Sequence, residues 1–298
     1  MGFLDPCRGG SFADLTFGGG GHSRKILEAS PNVRLLSMDC DPDAKIRAGN
    51  LESAYGDRFR FVDSDFQSID QYSGAQEFDG VLMDLGISSF QLMEAAKGFS
   101  FRLDAPIDMR LNPRVGQSAA DFLETASRES LVRAVREYGE ERRWSRVVNA
   151  IVDARGTGKL QRTLSAAELV TQAVGGVRAR QRIHPATKTF QGVRIAINGE
   201  LEALAMTLPK VFRALKAGGM LAVISFHSLE DRIVKRFMRK MSGRPQHRGD
   251  RSFVAERTAY AEMVQSKAIF PRKDEVESNP KSRSARLRVL KKIRHPEF

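Results

Sequence analysis

Four consecutive glycines, Gly18 to Gly21, follow the largely apolar run Phe12-Ala-Asp-Leu-Thr-Phe17 and precede His22-Ser23 and an amphipathic segment. This order predicts a strand, a glycine turn and a helix. Glycine suits such a turn because the backbone needs unusual dihedrals there and a ligand can approach the main chain closely. The N–H groups that open the helix favour a polar or anionic ligand group. Asp39 closes the next strand-like run, Val33 to Met38. It lies about 20 residues on, where a Rossmann-type fold grips a ribose diol. The dinucleotide pattern G-x-G-x-x-G is not met: with Gly18 and Gly20 as its first glycines, the third falls on Ser23. That points to a nucleoside without phosphates. Nor is there a Walker A motif, since Gly158-Lys159 is followed by Leu160.

Downstream, strand-like and helical runs alternate: strand Val33–Met38, helix Pro42–Ala54, strand Phe59–Val62, strand Phe78–Met83. Alternation of this kind predicts an α/β fold, a parallel sheet covered by helices on both faces. Asp14, Asp39, Asp65 and Asp84 fall at or just after strand ends, on the rim where open α/β sheets bind ligands. Each is also a candidate helix cap. A long loop rich in small, polar and aromatic residues follows Asp84, and such loops on rigid scaffolds carry function.

From about Ser118 the pattern is helical. Leu131, Val132, Val135 and Tyr138 share one face of a predicted helix Ser127–Tyr138 that Gly139 stops, and Trp144, Val147, Val148, Ile151 and Val152 form the next stripe. Ser165-Ala-Ala-Glu168 reads as a capping box. These stripes predict a small helical domain inserted into the sheet, with boundaries at 1–112, 113–185 and 186–298. His184-Pro185 opens a stretch Ala186–Leu215 with breaks expected at Gly199 and Pro209. A buried strand Met220–Phe226, a helix Leu229–Met241 and a last strand Ser284–Lys292, paired with Lys267–Phe270, complete the reading.

Asp84-Leu-Gly-Ile-Ser-Ser faces the expected cofactor. The lone pair of an exocyclic amine is delocalised into its base ring. An acceptor that holds the amine protons, an Asp side chain or a loop carbonyl, turns that lone pair towards a methyl donor, and proximity supplies much of the rate. Methylation of a pyrimidine ring carbon commonly needs a cysteine nucleophile. Neither 84–91 nor Ser225–Asp231 has one, and Cys40 belongs to the ribose region. A nitrogen or oxygen acceptor is therefore expected. There is no Gly-x-Ser-x-Gly elbow, and the 5 histidines are not at metal-ligand spacing, so no metal is expected.

Lys and Arg total 48 against 36 Asp and Glu, a formal net charge of 48 − 36 = +12, which favours a polyanionic partner. The bases crowd Arg178–Arg182 with Lys188, Arg232–Lys240 and Lys281–Arg294. Phosphate contacts from such clusters give affinity and strong salt dependence. Two cysteines, Cys7 and Cys40, make no disulfide framework and suit a reducing cytoplasm. No run has the length and apolarity of a membrane span, and no signal peptide is visible.

Segments along nearly the whole chain also match a known family. They are Thr16-Phe-Gly-Gly-Gly-Gly-His-Ser23, Met83-Asp-Leu-Gly-Ile-Ser-Ser89 with Gln91, Gly98-Phe-Ser-Phe101, Asp108-Met-Arg110, Tyr138-Gly-Glu-Glu141, His184-Pro-Ala-Thr-Lys-Thr-Phe-Gln191, Ile224-Ser-Phe-His-Ser-Leu-Glu-Asp-Arg-Ile-Val-Lys235 and Asn279-Pro280 with Ser284-Ala285. The chain resembles the MraW/RsmH-type methyltransferases, which transfer methyl from S-adenosylmethionine to a cytosine N4 of small-subunit ribosomal RNA. The resemblance implies a Rossmann-like class I methyltransferase sheet with an inserted helical domain. It places cofactor contacts on Gly20, Gly21, His22, Asp39, Phe66, Asp84 and Gln91, and catalytic roles on Asp84, Ser88 and Asp108. RNA contacts are expected from Arg110, Arg182, His184, Lys188, Lys281, Arg283 and Arg286. The expected partner is small-subunit rRNA or the assembled small subunit, in the cytoplasm, without a membrane; a homodimer is compatible. The family's usual N-terminal block with a His-x-Pro-Val-like motif is not found ahead of the first strand, Phe90 stands where Pro is common and Ala105 where Gly is common. The alternatives are a nicotinamide oxidoreductase on the same strand–turn–helix, a non-catalytic RNA-binding or assembly factor, and a methyltransferase with a DNA or protein acceptor.

Overall fold

A computed structural model describes residues 2–74, 77–176, 183–247, 249–250 and 258–295. It divides into two compact units, Met1–Gly86 with Leu201–Phe298, and Ile87–Glu200.

The first unit begins with β1 (Gly10–Asp14), α1 (Gly21–Glu28), β2 (Val33–Asp39), α2 (Pro42–Tyr55), β3 (Phe59–Asp63), a short α3 (Ile69–Tyr72) and β4 (Phe78–Asp84). The second unit contributes α4 (Ser89–Met93), α5 (Ala119–Thr125), α6 (Arg128–Val132), a π-helical turn Arg133–Tyr138, α7 (Trp144–Asp153), α8 (Thr163–Ala173) and α9 (Ala186–Asn198). The first unit resumes with α10 (Glu200–Ala214), β5 (Leu215–Ser225), α11 (Ser228–Met241), β6 (Ala261–Met263), α12 (Lys273–Ser278) and β7 (Arg286–Lys292).

Seven strands form one sheet in the order β3-β2-β1-β4-β5-β7-β6. The first five run parallel, and β7 joins β5 and β6 antiparallel. Side chains alternate across the strands because successive residues point to opposite faces. Phe12, Leu35, Leu82, Ala222 and Val289 meet Ile26 and Leu27 of α1 and Ala44, Ala48 and Leu51 of α2. Their neighbours Ala13, Leu36, Val81, Met83, Leu221, Val223 and Leu290 meet Leu204, Leu208 and Val211 of α10 and Val234 and Met238 of α11 on the other face. The sheet thus lies between two helical layers, the doubly covered α/β fold that the alternation predicts.

Three details differ from expectation. Pro209 lies inside α10 and does not break it, because buried Leu208, Val211 and Phe212 hold both halves on the sheet. Gly218-Gly219 lies within β5, where the β4–β5 register shifts between Phe78 and Gly80. Lys292 at the end of β7 is fully buried. Its Nζ donates to the carbonyls of Phe212 (2.8 Å), Arg213 (3.3 Å) and Leu215 (2.6 Å), groups that the end of α10 leaves without helical partners.

The second unit packs α5 to α9 around Leu123, Leu131, Val135, Val147, Val148, Ile151, Val170 and Val193. Phe99, Ile107 and Met109 from the preceding loop are buried in the same core. That is why this unit starts at Ile87 and runs to Glu200, so that the sequence-based boundaries at 112/113 and 185/186 both fall inside it. The expected Ser127–Tyr138 helix is present but widens into a π turn at Arg133, and Gly139 N–H closes on Ala134 O at 2.8 Å. Ser165 is not an N-cap: α8 starts at Thr163, whose hydroxyl donates to Leu103 O (2.8 Å) and accepts from Ala105 N–H (3.0 Å), drawing the chain into the helix earlier.

Gly192 of α9 sets how closely that helix approaches the π turn. A Cβ there would lie 2.0 Å from Ala134 O and 2.6 Å from Gly139 N, backbone atoms that cannot rotate away. Gly192→Ala is expected to destabilise the protein by about 3 kcal/mol through overpacking, measured as a lower urea midpoint.

Candidate active site

The loop between β1 and α1 is bonded to the strands on both sides. Asp14 Oδ1 accepts the Thr16 amide (3.2 Å), which turns the chain out of β1 three residues before the expected end at Phe17. Leu15 N–H then donates to Leu82 O of β4 (3.0 Å) and Phe17 N–H to Met38 O of β2 (2.9 Å). Thr16 Oγ1 accepts the Asp84 amide at 2.6 Å. Gly18 N–H donates to Asp39 Oδ2 at 2.7 Å, and Arg47 Nε donates to Gly18 O at 2.9 Å.

Gly20 has a left-handed φ of 76°, and a Cβ there would meet the Phe17 ring at 2.7 Å. The ring in turn packs edge-on against Phe61, 5.3 Å between centroids. At Gly21 a Cβ would find nothing within 4 Å, so the first turn of α1 opens onto free space. No side chain caps this helix start. A glycine cradle in front of bare helix amides fits a compact polar ligand group.

The aspartates on this rim differ. Asp39 accepts the amides of Gly18 and Asp41 (2.9 Å) on separate oxygens, and each oxygen keeps a lone pair for a ligand hydroxyl. Burial pushes its carboxyl up to about 6 against these hydrogen bonds. Asp14 is wholly buried and accepts the Ser23 hydroxyl at 2.7 Å; burial raises its pKa too. Asp65 caps the turn after β3 by accepting the Gln67 amide (2.7 Å), and Phe66 packs on the core beside it.

Asp84, the last residue of β4, is the least satisfied. His22 Nδ1 is 3.5 Å from its Oδ2. Its Oδ1 is buried with no hydrogen-bond partner among the described residues. Burial pushes its carboxyl up to about 6; His22 opposes the shift, and the carboxylates of Asp14 and Glu230 add to it. A buried polar atom without a protein partner calls for an explanation, and on the rim of an open α/β sheet a bound ligand supplies one.

Sequence reading missed two parts of this rim. One is the Thr16 hydroxyl. The other is Glu230, which is 3 % exposed and accepts the amides of Phe226 (2.8 Å) and His227 (3.3 Å) at the exit of β5. Together with His227 Nδ1, which accepts the Glu230 amide at 3.4 Å, it forms a capping box on α11. The signal was Glu three residues after the cap, hidden because His replaces the usual Ser or Thr.

Most of the remaining expected site residues lie in the helical unit. Ser88 and Gln91 bond each other as the capping box of α4: the Ser88 hydroxyl accepts the Gln91 amide (3.1 Å) and Gln91 Oε1 accepts the Ser88 amide (2.9 Å). Asp108 receives Arg110 through Nε at 2.8 Å and Nη2 at 2.7 Å, which holds its carboxyl below the usual range. Met109 between them has φ 59° and is buried. Its carbonyl accepts from Asn198 Nδ2 (2.8 Å), whose Oδ1 accepts the Leu111 amide (2.8 Å). His184 stacks on Phe101 at 4.6 Å, and Lys188 donates to Glu140 O at 3.0 Å. In the sheet unit, Lys281 and Arg283 are exposed, and Arg286 approaches Asp231 at 3.6 Å. Arg178, Arg180 and Arg182 lie outside the described residues.

With this geometry in place, comparison with known proteins gives a consistent result. A profile of the MraW methylase family matches residues 1–293. The chain is 46% identical over 283 residues to the ribosomal RNA small subunit methyltransferase H of Cereibacter sphaeroides strain ATCC 17029, covering 94% of this chain and 84% of that protein. Proteins of the same name from Nitrosococcus oceani and Thermomicrobium roseum are 44% and 42% identical, covering 96% and 98% of this chain and 91% of each relative. A match of this extent and identity makes the chain a member of the MraW methylase family.

Proposed function

We propose that this protein transfers a methyl group from S-adenosylmethionine to the exocyclic N4 amine of a cytosine in small-subunit ribosomal RNA. The observation that carries the reading is the unpartnered Oδ1 of Asp84 at the carboxyl end of β4, beside the glycine cradle of α1. S-adenosylmethionine supplies an electrophilic methyl on a sulfonium and needs no phosphate site. Asp39 suits its ribose hydroxyls, because both carboxylate oxygens are fixed by backbone amides. The bare amides at the start of α1 suit its carboxylate.

Asp84 Oδ1 is assigned to accept a hydrogen bond from the N4 amine, drawing that lone pair out of ring conjugation. As the N–C bond forms and the C–S bond breaks, the amine loses a proton, to Asp84 or through it to water. A carboxyl near 6 is mostly ionised at neutral pH and is a better proton acceptor than an ordinary aspartate. We propose that the acceptor RNA, free or within the small subunit, is met in the cytoplasm, where ribosomal RNA is assembled. No described helix is long and apolar enough to cross a membrane.

Mass spectrometry of ribosomal RNA nucleosides, with and without this protein, tests the assignment: N4-methylated cytidine is expected only with it, and its absence overturns the reading. Asp39→Ala is expected to weaken S-adenosylmethionine binding about 10- to 100-fold by calorimetry, the loss of hydrogen bonds to a charged group. Methyl transfer by the wild type is expected to fall about tenfold per pH unit below about 6, as Asp84 takes up a proton. Asp84→Ala is expected to lose about 100-fold or more in kcat and to lack that acid limb. The linked stability runs the other way. A carboxyl raised above its ordinary 3.8 stabilises the fold at low pH, and the effect is lost as pH rises through about 6.

A further inference from the structure

The helix α11 leaves the same rim that carries Asp84. Asp84 is paired with Ile224 of β5, and Leu85 N–H donates to Ile224 O at 2.9 Å. Phe226 and His227 follow, fixed by Glu230, and α11 then runs for about 20 Å. One side of it is apolar: Val234, Met238 and Met241 are buried, and Ile233 and Phe237 pack on the sheet core. Arg232, Lys235, Arg236, Arg239 and Lys240 fall together on roughly 140° of the opposite side. All but Arg239 are exposed.

This basic face has an internal cost. Arg232 with Arg236, Lys235 with Arg239, and Arg236 with Lys240 are like charges four residues apart, each pair destabilising by about 0.2–0.5 kcal/mol. Asp231, an acid beside the face, is not available to Lys235, Arg236 or Lys240. It is occupied by Arg288 through Nε at 2.7 Å and Nη2 at 3.2 Å, with Arg286 at 3.6 Å. A solvated structural face would interleave acids, whereas a bound polyanion relieves the repulsion. A lipid surface fits poorly, because the apolar side of α11 is spent on the core and none of its large apolar residues is exposed.

We infer that the face of α11 built from Lys235, Arg236 and Lys240, flanked by Arg232 and Arg239, binds the phosphodiester backbone of the RNA strand that brings the target base to Asp84. Arg236 and Lys240 stand four residues apart, about 6 Å along the helix, and contact phosphates without reading sequence. This surface deepens the methyltransferase reading above and rests on it. It also gives Arg286 a different part from the one expected of it: Arg286 with Arg288 neutralises Asp231 at the edge of the face.

The test measures binding of unmethylated small-subunit RNA, and methyl transfer to it, across a salt series. It compares the wild type, the triple variant K235Q/R236Q/K240Q, and a control triple R34Q/K45Q/R60Q that removes the same charge from other exposed positions. The α11 triple is expected to lower the slope of log affinity against log salt by about 2, at about 0.7 per single-strand phosphate contact. It is also expected to raise the KM for RNA about tenfold or more near physiological salt. Its kcat and S-adenosylmethionine affinity are expected to stay at wild-type values, which also shows that it folds. A slope and KM equal to the wild type overturn the inference while leaving the methyltransferase reading intact. An equal loss in the control triple overturns it too, since net charge and not this face would then hold the RNA. A wild type that labels no RNA removes the methyltransferase reading, and the inference with it.

Discussion

Two hydrogen bonds hold the rim together: Asp84 N–H to Thr16 Oγ1 and Gly18 N–H to Asp39 Oδ2. Parallel strands end with backbone groups that no further strand satisfies. A loop crossing from β1 to α1 must pair those groups or leave them dry. Here side chains of the loop and of the flanking strands pair them, one towards β4 and one towards β2. The glycines are then free to present bare amides. Because the polar requirements of Asp14 and Asp39 are met within the fold, the unmet one at Asp84 Oδ1 stands out as available for chemistry.

Much of this was legible in the chain. β2, β3 and β4 are within one residue of the runs read from the sequence: β2 and β4 are mostly buried and so near-continuously apolar, and the edge strand β3 keeps apolar Phe59 and Val62 between turn signals. Asp39 and Asp84 were placed by the same logic, as acids at strand ends. The π turn at Arg133 was not legible. It depends on the close approach of Gly192 from α9, a contact made 54 or more residues later in the chain than the turn's own end at Tyr138. β6 was missed because 3 residues carry no periodicity. Ser165 shows the opposite error: its motif was present, but Thr163 had already been drawn into the helix by residues 103–105.

Carboxylates expected to share one role are set apart by their surroundings. Asp108 faces a bidentate guanidinium, which keeps it charged and oriented at any physiological pH. Asp84 faces an imidazole and other carboxylates in a half-buried position, which raises its carboxyl to about 6. Divergent environments of this kind separate acid–base groups from anchoring groups. By that criterion Asp84 suits the proton-acceptor role proposed for it, and Asp108 fixes Arg110.

The antiparallel strand β7 lies between β5 and β6, and the ammonium of Lys292 closes the end of α10. The sheet is therefore built from two segments that flank the helical unit, whereas the helical unit is continuous in sequence. During synthesis the helical unit is complete as soon as Glu200 has emerged, and about ninety residues must follow before the sheet can close. A nascent chain consequently carries a finished insert on an unfinished sheet, and its competence to modify RNA begins only after Lys292 has emerged.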